Sequence, residues 1–334
     1  MARTNGCSRR VVELEVIHET RYDYAAPVTL AHHLAHLQPL EDSAQRLLGF
    51  DLRVTPAADR LRHGVDAAGN AVCHFSLIRP HDTLTVRAVS RVRVAPRFAA
   101  LQPETSPPWD ALAESLQYVA RSRFEPAVEY ALPSPFVPRL EALRGYGAAT
   151  LAPGRPVAEA AIELMQRIHA DFKYESDSTE IDTPLAEAFE QKRGVCQDFA
   201  HLMAGTLRMF GLPARYVSGY LLTQAAEGAT PLLGADASHA WVQVWCPGTA
   251  GVADGWLDLD PTNDLIPAAG HVRLAVGRDF GDVTPLRGVI RGGGRHTLTV
   301  GVTTRVVSPA VPVGPVVATS QVRGAKDCDE AQLR

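Results

Sequence analysis

The sequence predicts an α+β protein in which an N-terminal β-sandwich domain precedes a mixed core of helices and strands. The N-terminal part contains several segments that alternate apolar and polar side chains, which is typical of half-buried strands. Two amphipathic helical segments begin after residue 155, and a second series of strand-like segments follows them. A length of 334 residues also favours two domains over one.

Composition and charge argue against several classes of function. Hydrophobic residues make up 46% of the chain, and the formal net charge is −4 without a long run of one sign. We therefore expect no nucleic-acid partner and no binding to an anionic membrane. No segment approaches the ~18 uncharged apolar residues of a membrane span. The five cysteines are widely spaced and the N-terminus lacks the apolar core of a secretory signal, so a cytoplasmic location with reduced thiols is expected.

The N-terminal domain is predicted over residues 1–98. Its clearest strand covers residues 11–24, where mainly charged residues separate the members of one face. That face consists of Val12, Leu14, Val16, His18, Thr20, Tyr22 and Tyr24. Similar segments begin at Phe50, Asn70 and Thr83. Short strands joined by polar turns are typical of a β-sandwich.

A proline-rich helical connector over residues 99–155 separates this domain from the predicted core, residues 156–306. Pro156 stands at a favourable first helical position, and a second helix is predicted to begin near Cys196 and to stop at Gly211. Strand segments then begin at Ala214, Ser238, Gly255 and His296. The tail over residues 307–334 is rich in Pro, Gly and Ala and is expected to be poorly ordered.

The first candidate for chemistry is Cys196, at the start of that second helix. Free N–H groups and the dipole at a helix N-terminus stabilise a thiolate and lower the pKa of a cysteine. A nucleophilic cysteine requires such an environment. Gly194 lies two residues earlier, where the chain must turn tightly or allow a close approach. A cysteine considered alone is more often a small buried apolar residue, so position by itself does not establish the role.

Two further residues complete a thiol-enzyme pattern. Alternation in the segment 238–245 places His239 on a face with Trp and Gln, where it could act as a base, although a hydrogen-bonded strand-edge histidine is commoner. In the segment 255–263, Asp258 and Asp260 share one face. Either carboxylate could hold the histidine in one tautomer, and periodicity does not choose between them.

Around these residues the sequence resembles bacterial members of the transglutaminase-like superfamily. The segment RGVCQDFAHLMAGTLRMFGLPARYVSGYL at 193–221 is similar to the family's cysteine segment, SHAWVQVW to its histidine strand and GWLDLDPTN to its aspartate strand. Similarity extends to HETRYDYAAPV at 18–28, DAAGNAV at 66–72 and HVRLAVGRDFGDVTPLRGVIRGGG at 271–294. Residue by residue, the resemblance assigns the nucleophile to Cys196, the base to His239 and the orienting carboxylate to Asp260. The family's aspartate directly precedes Pro-Thr, which favours Asp260.

The resemblance implies a papain-like core and thiolate attack on a carbonyl, with an acyl-enzyme released to water or to an amine. We expect a cysteine peptidase or amidase that acts on a peptide or protein substrate, at peptide or glutamine-type amide bonds. Protein cross-linking is the alternative. The family's animal cross-linkers use calcium, but no dense carboxylate loop is present, so no metal and no cofactor are expected.

Several roles stay open at this point. Gln191 and Tyr174 are candidates for a second oxyanion donor beside the backbone N–H of Cys196. Three tryptophans could line the cleft or pack in the core: Trp241, Trp245 and Trp256. A non-catalytic relative could instead bind a protein partner. A metal site could use Cys196, Cys246, His201 and His239, although no short-spaced zinc-type pair is present. The sequence leaves the physiological substrate and the oligomeric state undetermined.

Overall fold

The computed structural model describes residues 10–121, 123–176, 179–222 and 238–312. The strands are β1 (Arg10–Ala35), β2 (Gln45–Thr55), β3 (Arg60–Val65), β4 (Ala71–Leu77), β5 (His81–Val94), β6 (Lys173–Tyr174), β7 (Arg193–Gly194), β8 (Ala214–Leu221), β9 (Ser238–Trp245), β10 (Trp256–Leu259), β11 (His271–Gly277), β12 (Leu286–Gly292) and β13 (His296–Pro312). The helices are α1 (Trp109–Ser115), α2 (Glu141–Gly147), α3 (Val157–Asp171), α4 (Leu185–Gln191), α5 (Cys196–Met209) and α6 (Phe280–Val283). No helix in the described ranges is long and apolar enough to cross a membrane.

The long strand β1 organises the N-terminal part of the molecule. Its predicted apolar face is buried, and Val12, Leu14 and Val16 are each at most 2% exposed. The first half of β1 pairs with β5 on one side and β13 on the other. Its second half pairs with β4 and β12. All these pairs are antiparallel, and together with β2 and β3 they form a seven-stranded sheet.

The N-terminal β-rich region is confirmed, and its strands are joined by hydrogen bonds into one seven-stranded sheet. The sheet also includes β12 and β13, which the predicted boundaries assigned to the core and the tail. Gly292, Gly293 and Gly294 connect these two strands in positive-φ conformations that glycine adopts readily. Alternating polarity indicates that a strand is half buried but does not indicate which strand pairs with it. The sequence therefore did not predict that β12 and β13 belong to the N-terminal sheet.

The core is built around α5, which packs on the four-stranded antiparallel sheet β10-β9-β8-β11. Every residue of α5 after Cys196 is buried, because the sheet covers one side and α2, α3 and α4 cover the other. Helix α3 contributes the apolar face that its periodicity predicted. That face consists of Ala160, Ala161, Leu164, Met165 and Ile168. Central burial holds α5, and therefore its first residue, in a fixed position.

The two sheets meet through apolar and polar contacts. Val302 of β13 packs with Tyr220 and Val272 of the core sheet. Beside them, the Gln45 side-chain amide donates to the Arg273 carbonyl at 2.7 Å and accepts from the Arg273 N–H at 2.9 Å. These buried hydrogen bonds fix the N-terminal sheet against the core.

Candidate active site

Cys196 lies at the first position of α5, as its sequence context predicted. The Asp198 carboxylate accepts a hydrogen bond from the Val195 N–H at 2.8 Å and another from the Thr179 hydroxyl at 2.7 Å, which closes the helix start. A Cβ at Gly194 would come within 2.6 Å of that carboxylate. Gly194 is therefore required because the Asp198 carboxylate lies too close to its backbone for any side chain. The N–H groups of Asp198 and Phe199 donate to the Val195 carbonyl at 3.0 and 3.2 Å, so those of Cys196 and Gln197 are the first-turn N–H groups that remain near the thiol.

His239, on β9, makes the central contact of the site. Its Nε2 lies 2.7 Å from Oδ2 of Asp260, and the ring lines the same cavity as the Cys196 side chain. Because Nε2 is engaged by Asp260, Nδ1 is the nitrogen left for the thiol. The structure thus brings the three sequence-predicted residues together in the order thiol, imidazole, carboxylate.

Asp260 is fully buried and has several donors. The backbone N–H groups of Thr262 and Asn263 donate to Oδ1 at 3.0 and 3.2 Å, and the Asn263 amide donates to Oδ2 at 2.8 Å. The Asp-Pro-Thr-Asn turn after β10 therefore serves as a cradle for the carboxylate. The sequence predicted Asp260 as the orienting carboxylate of this segment but did not predict a role for Asn263.

The charges of His239 and Asp260 determine the protonation states of both residues. Burial disfavours the charged form of His239, but the charge and hydrogen bond of Asp260, together with Cys196, raise the pKa of His239 to about 10. Burial likewise disfavours the Asp260 carboxylate, yet the charges and hydrogen bonds of His239 and His271 hold the pKa of Asp260 well below its usual range. At neutral pH the two residues form an imidazolium–carboxylate pair.

The structure separates Asp258 from Asp260, which periodicity left equivalent. The Arg273 guanidinium holds the Asp258 carboxylate in a bidentate pair, with Nη2 at 2.9 Å from both oxygens. Asp258 is 0% exposed and is therefore sequestered in this ion pair. Only Asp260 meets His239.

A second histidine, His271 at the start of β11, also contacts Asp260. Its Nε2 lies 3.1 Å from Oδ2, and its ring packs edge-on against Trp241 with centroids 5.3 Å apart. Sequence reasoning did not single out His271, because nothing local distinguishes it among twelve histidines. Its role is visible only once β11 is placed beside β8.

We expect His271→Leu to lower the rate of Cys196 alkylation at about pH 6 by roughly tenfold, because Asp260 loses a hydrogen bond that orients it toward His239. His271→Gln should restore most of the rate, since its amide nitrogen can reach the position of Nε2. The measurement is the iodoacetamide rate across pH, with thermal melts of both variants. Equal losses in the Leu and Gln variants would contradict this positioning role.

The ligand atoms of His239, Asp260 and His271 lie within 4.8 Å of one another, close enough to be compared with the ligands of a metal ion. The 2.7 Å contact between His239 and Asp260 is a hydrogen-bond distance, whereas two ligands of a tetrahedral zinc lie roughly 3.4 Å apart. The cluster is thus arranged for proton sharing. The set considered from sequence is not assembled: Cys246 is in the apolar core and His201 packs between Phe136 and Tyr216.

A cavity of about 290 Å³ opens in front of Cys196 and His239, between the core and the N-terminal sheet. Its remaining lining comes from β1, β8, β9, β13, the segment around Ile181 and the segment from Phe280 to Leu286. A larger cavity of about 520 Å³ lies against Arg97 and Arg155 and does not include the thiol. The smaller cavity is therefore the one in which a substrate can meet Cys196.

The other candidate residues are placed away from this cavity. Tyr174 is half exposed, and the Gln191 amide donates to Glu187 at 2.7 Å, so neither side chain lines the space in front of the thiol. Trp245 and Trp256 pack on each other with centroids 5.1 Å apart. Trp241 is fully buried and stacks on His239 at 6.0 Å. Among the three tryptophans, only Trp241 touches the site, as packing behind the base.

Comparison with known proteins assigns both halves of the chain. Residues 14–93 match the family model of the bacterial transglutaminase-like N-terminal region, and residues 145–261 match that of the transglutaminase-like superfamily. An uncharacterized protein of Mycobacterium tuberculosis is 38% identical over 280 residues, covering 82% of this chain and 86% of the relative. One from Mycobacterium leprae is 33% identical over 290 residues, covering 86% and 96%. The chain belongs to the bacterial transglutaminase-like family.

Two further similarities are partial or structural. A candidate cysteine protease of Cytophaga hutchinsonii with a solved structure superposes with a TM-score of 0.67 at 19% identity, covering 89% of this chain and 91% of that one, which shows a shared fold. The protein-glutamine gamma-glutamyltransferase of Pseudomonas aeruginosa is 34% identical over 122 residues, which cover 35% of this chain and 17% of that protein. The predicted fold class, a β-rich N-terminal region followed by a transglutaminase-like core, is confirmed.

Proposed function

We propose that this protein is a cysteine-dependent acyl-transfer enzyme that hydrolyses peptide or glutamine-type amide bonds, with Cys196 as nucleophile, His239 as base and Asp260 as orienting carboxylate. The observation that supports this most strongly is the His239 ring, which is hydrogen-bonded to a buried carboxylate at 2.7 Å and lines one cavity with the Cys196 side chain. A helix N-terminus beneath the thiol completes the arrangement.

The reaction starts from the ion pair in which the thiol proton of Cys196 already resides on His239, so that a thiolate faces an imidazolium that Asp260 stabilises. The thiolate attacks the carbonyl carbon, forming a C–S bond, and the carbonyl π electrons move to the oxygen. Backbone N–H groups at the start of α5 stabilise that oxyanion. The C–N bond then breaks, and the leaving amine takes the proton from His239.

Water completes the cycle. His239 removes a proton from water as the water oxygen attacks the thioester, and the carboxylic acid leaves as the thiol is regenerated. Hydrolysis is favoured over amine transfer because the described residues that line the cavity include no carboxylate to recruit an ammonium group. The partial similarity to a gamma-glutamyltransferase supports chemistry at an amide carbonyl and leaves cross-linking as the second candidate.

The test is the alkylation rate of Cys196 by iodoacetamide as a function of pH, read by peptide mass spectrometry. At about pH 6 an ordinary thiol of pKa ~8.5 is almost entirely protonated. We expect Cys196 to react at least tenfold faster than glutathione in the same tube, since the imidazolium stabilises its thiolate. His239→Ala should remove this advantage.

Two internal controls are available. Cys73 and Cys246 are buried thiols whose pKa values burial raises, so they should stay unlabelled while the protein is folded. If Cys196 reacts no faster than glutathione, or if His239→Ala leaves its rate unchanged, the catalytic proposal is wrong. A non-catalytic binding role would then be favoured.

A further inference from the structure

The cavity in front of Cys196 continues onto the N-terminal sheet, where catalysis does not require it. Residues of β1, β12 and β13 line this part, and we name three of their side chains the apolar wall: Tyr22 of β1, with Leu298 and Val300 of β13. Leu298 and Val300 are 46% and 47% exposed. Exposed apolar side chains that line a cavity beside a nucleophile mark a surface that a ligand can cover.

Strand periodicity explains how the apolar wall arises. Leu298, Val300 and Val302 lie on one face of β13, and Val302 is buried against the core sheet. Leu298 and Val300, which precede Val302 on this face, lie beyond the core sheet and line the cavity. The return of β13 into the N-terminal sheet therefore brings these two apolar residues to the thiol, from a part of the chain one hundred residues downstream of Cys196.

We propose that the apolar wall is a substrate subsite that accepts an apolar side chain within one residue of the carbonyl attacked by Cys196. The proposal rests on the proposed function, because it places a peptide at the thiol. Ile181 and Phe280 face the same cavity from the core side. A volume of about 290 Å³ is near the lower limit of ligand pockets, which suits a short peptide segment.

Charge supports the same substrate class. Among the described residues, no Asp, Glu, Lys or Arg side chain lines the cavity. His18 is bonded to the Tyr220 hydroxyl at 3.0 Å and the Thr20 hydroxyl at 3.1 Å, and burial lowers the pKa of His18 to about 4, so the ring is neutral. Among the described lining residues, only the Cys196–His239 pair carries charge, so a charged substrate side chain against the apolar wall would lose its water and gain no ionic partner there.

The test uses N-acyl dipeptide chloromethyl ketones, in which one residue is Leu, Asp or Lys and the other is Ala. The Cys196 thiolate displaces chloride and forms a thioether, so labelling reports recognition without requiring turnover. We expect the Leu probes to label Cys196 roughly 10- to 100-fold faster than the Asp and Lys probes. Iodoacetamide, which is too small to use the subsite, serves as the reference for thiol reactivity.

A charge placed in the apolar wall sharpens the test. Val300→Lys should lower the ratio of the Leu-probe to the Asp-probe labelling rate by about tenfold, because the lysine ammonium group can pair with the Asp carboxylate of the probe. Val306→Lys is the matched control, since Val306 is 49% exposed on the same strand but lies outside the cavity. Both substitutions are at exposed positions, so the fold should tolerate them.

The outcomes separate the two proposals. Normal iodoacetamide labelling of Cys196 with equal rates for the Leu, Asp and Lys probes would overturn the subsite and leave the proposed function standing. Equal effects of Val300→Lys and Val306→Lys would also overturn the subsite. If Cys196 does not react with iodoacetamide faster than an ordinary thiol, the proposed function itself fails.

Discussion

Cys196→Ala is expected to abolish turnover of amide substrates, with a loss of roughly 10⁶-fold if the reaction follows the proposed scheme. Removing the thiol leaves no nucleophile, while the first turn of α5 keeps its Asp198 cap. Cys196 is only partly buried, so its truncation should change the free energy of unfolding by less than about 1 kcal/mol. The loss is therefore chemical and not structural.

The measurement combines release of product from an apolar peptide amide with thermal melts. Cys73→Ala is the control, because Cys73 is a buried thiol in the N-terminal sheet, away from the cavity. Including a primary amine in the assay identifies the acceptor: we expect the carboxylic acid as the main product. Residual activity of the Cys196→Ala variant near the wild-type level would exclude covalent catalysis, and a predominant amine adduct would replace hydrolysis by cross-linking.

Local sequence patterns predicted most of the elements that position this candidate site. The start of α5 follows from Gly194, the helix periodicity and the stop at Gly211, all of which are close in sequence. Strand β1 follows from alternation alone. The pairing of β13 with β1 could not be predicted in this way, because their paired residues are more than 270 positions apart. Pairing over such separations depends on tertiary packing.

The same distinction applies to individual residues of the site. Asp260 was preferred over Asp258 only through a family resemblance, and the physical reason is the Arg273 partner of Asp258, which β11 supplies. His271 and the apolar wall also come from elements that tertiary structure places beside the triad. Residues whose role depends on a partner from another element carry no local signal.

The neighbouring aspartates Asp258 and Asp260 allow a second prediction, because both are fully buried on the same segment but have different partners. Asp260→Asn should lower kcat/KM by roughly 10³- to 10⁴-fold, since an amide can hold His239 in the wrong tautomer and does not stabilise the imidazolium. Asp258→Asn should instead destabilise the fold by about 3 kcal/mol, because the buried Arg273 guanidinium loses its bidentate carboxylate.

Kinetics and unfolding measured on both variants distinguish the two roles. For Asp258→Asn, kcat/KM measured below the unfolding transition should stay within about tenfold of wild type, since the His239–Asp260 contact is intact. If Asp258→Asn instead loses activity as severely as Asp260→Asn at temperatures where it is folded, the assignment of the orienting carboxylate to Asp260 is wrong.

The pH dependence of stability gives an independent measure of the His239–Asp260 pair. The pKa of His239 is raised from 6.5 to about 10 in the folded state, so folding takes up a proton between these values. The stabilisation from His239 is complete below about pH 6.5 and is lost as the pH rises through about 10. Between pH 6.5 and 10, the free energy of unfolding of the wild-type protein should therefore fall by more than that of Asp260→Asn. This variant lacks the carboxylate that raises the histidine pKa. Parallel melting curves for the two proteins from pH 6.5 to 10 would show that His239 does not hold its proton through Asp260.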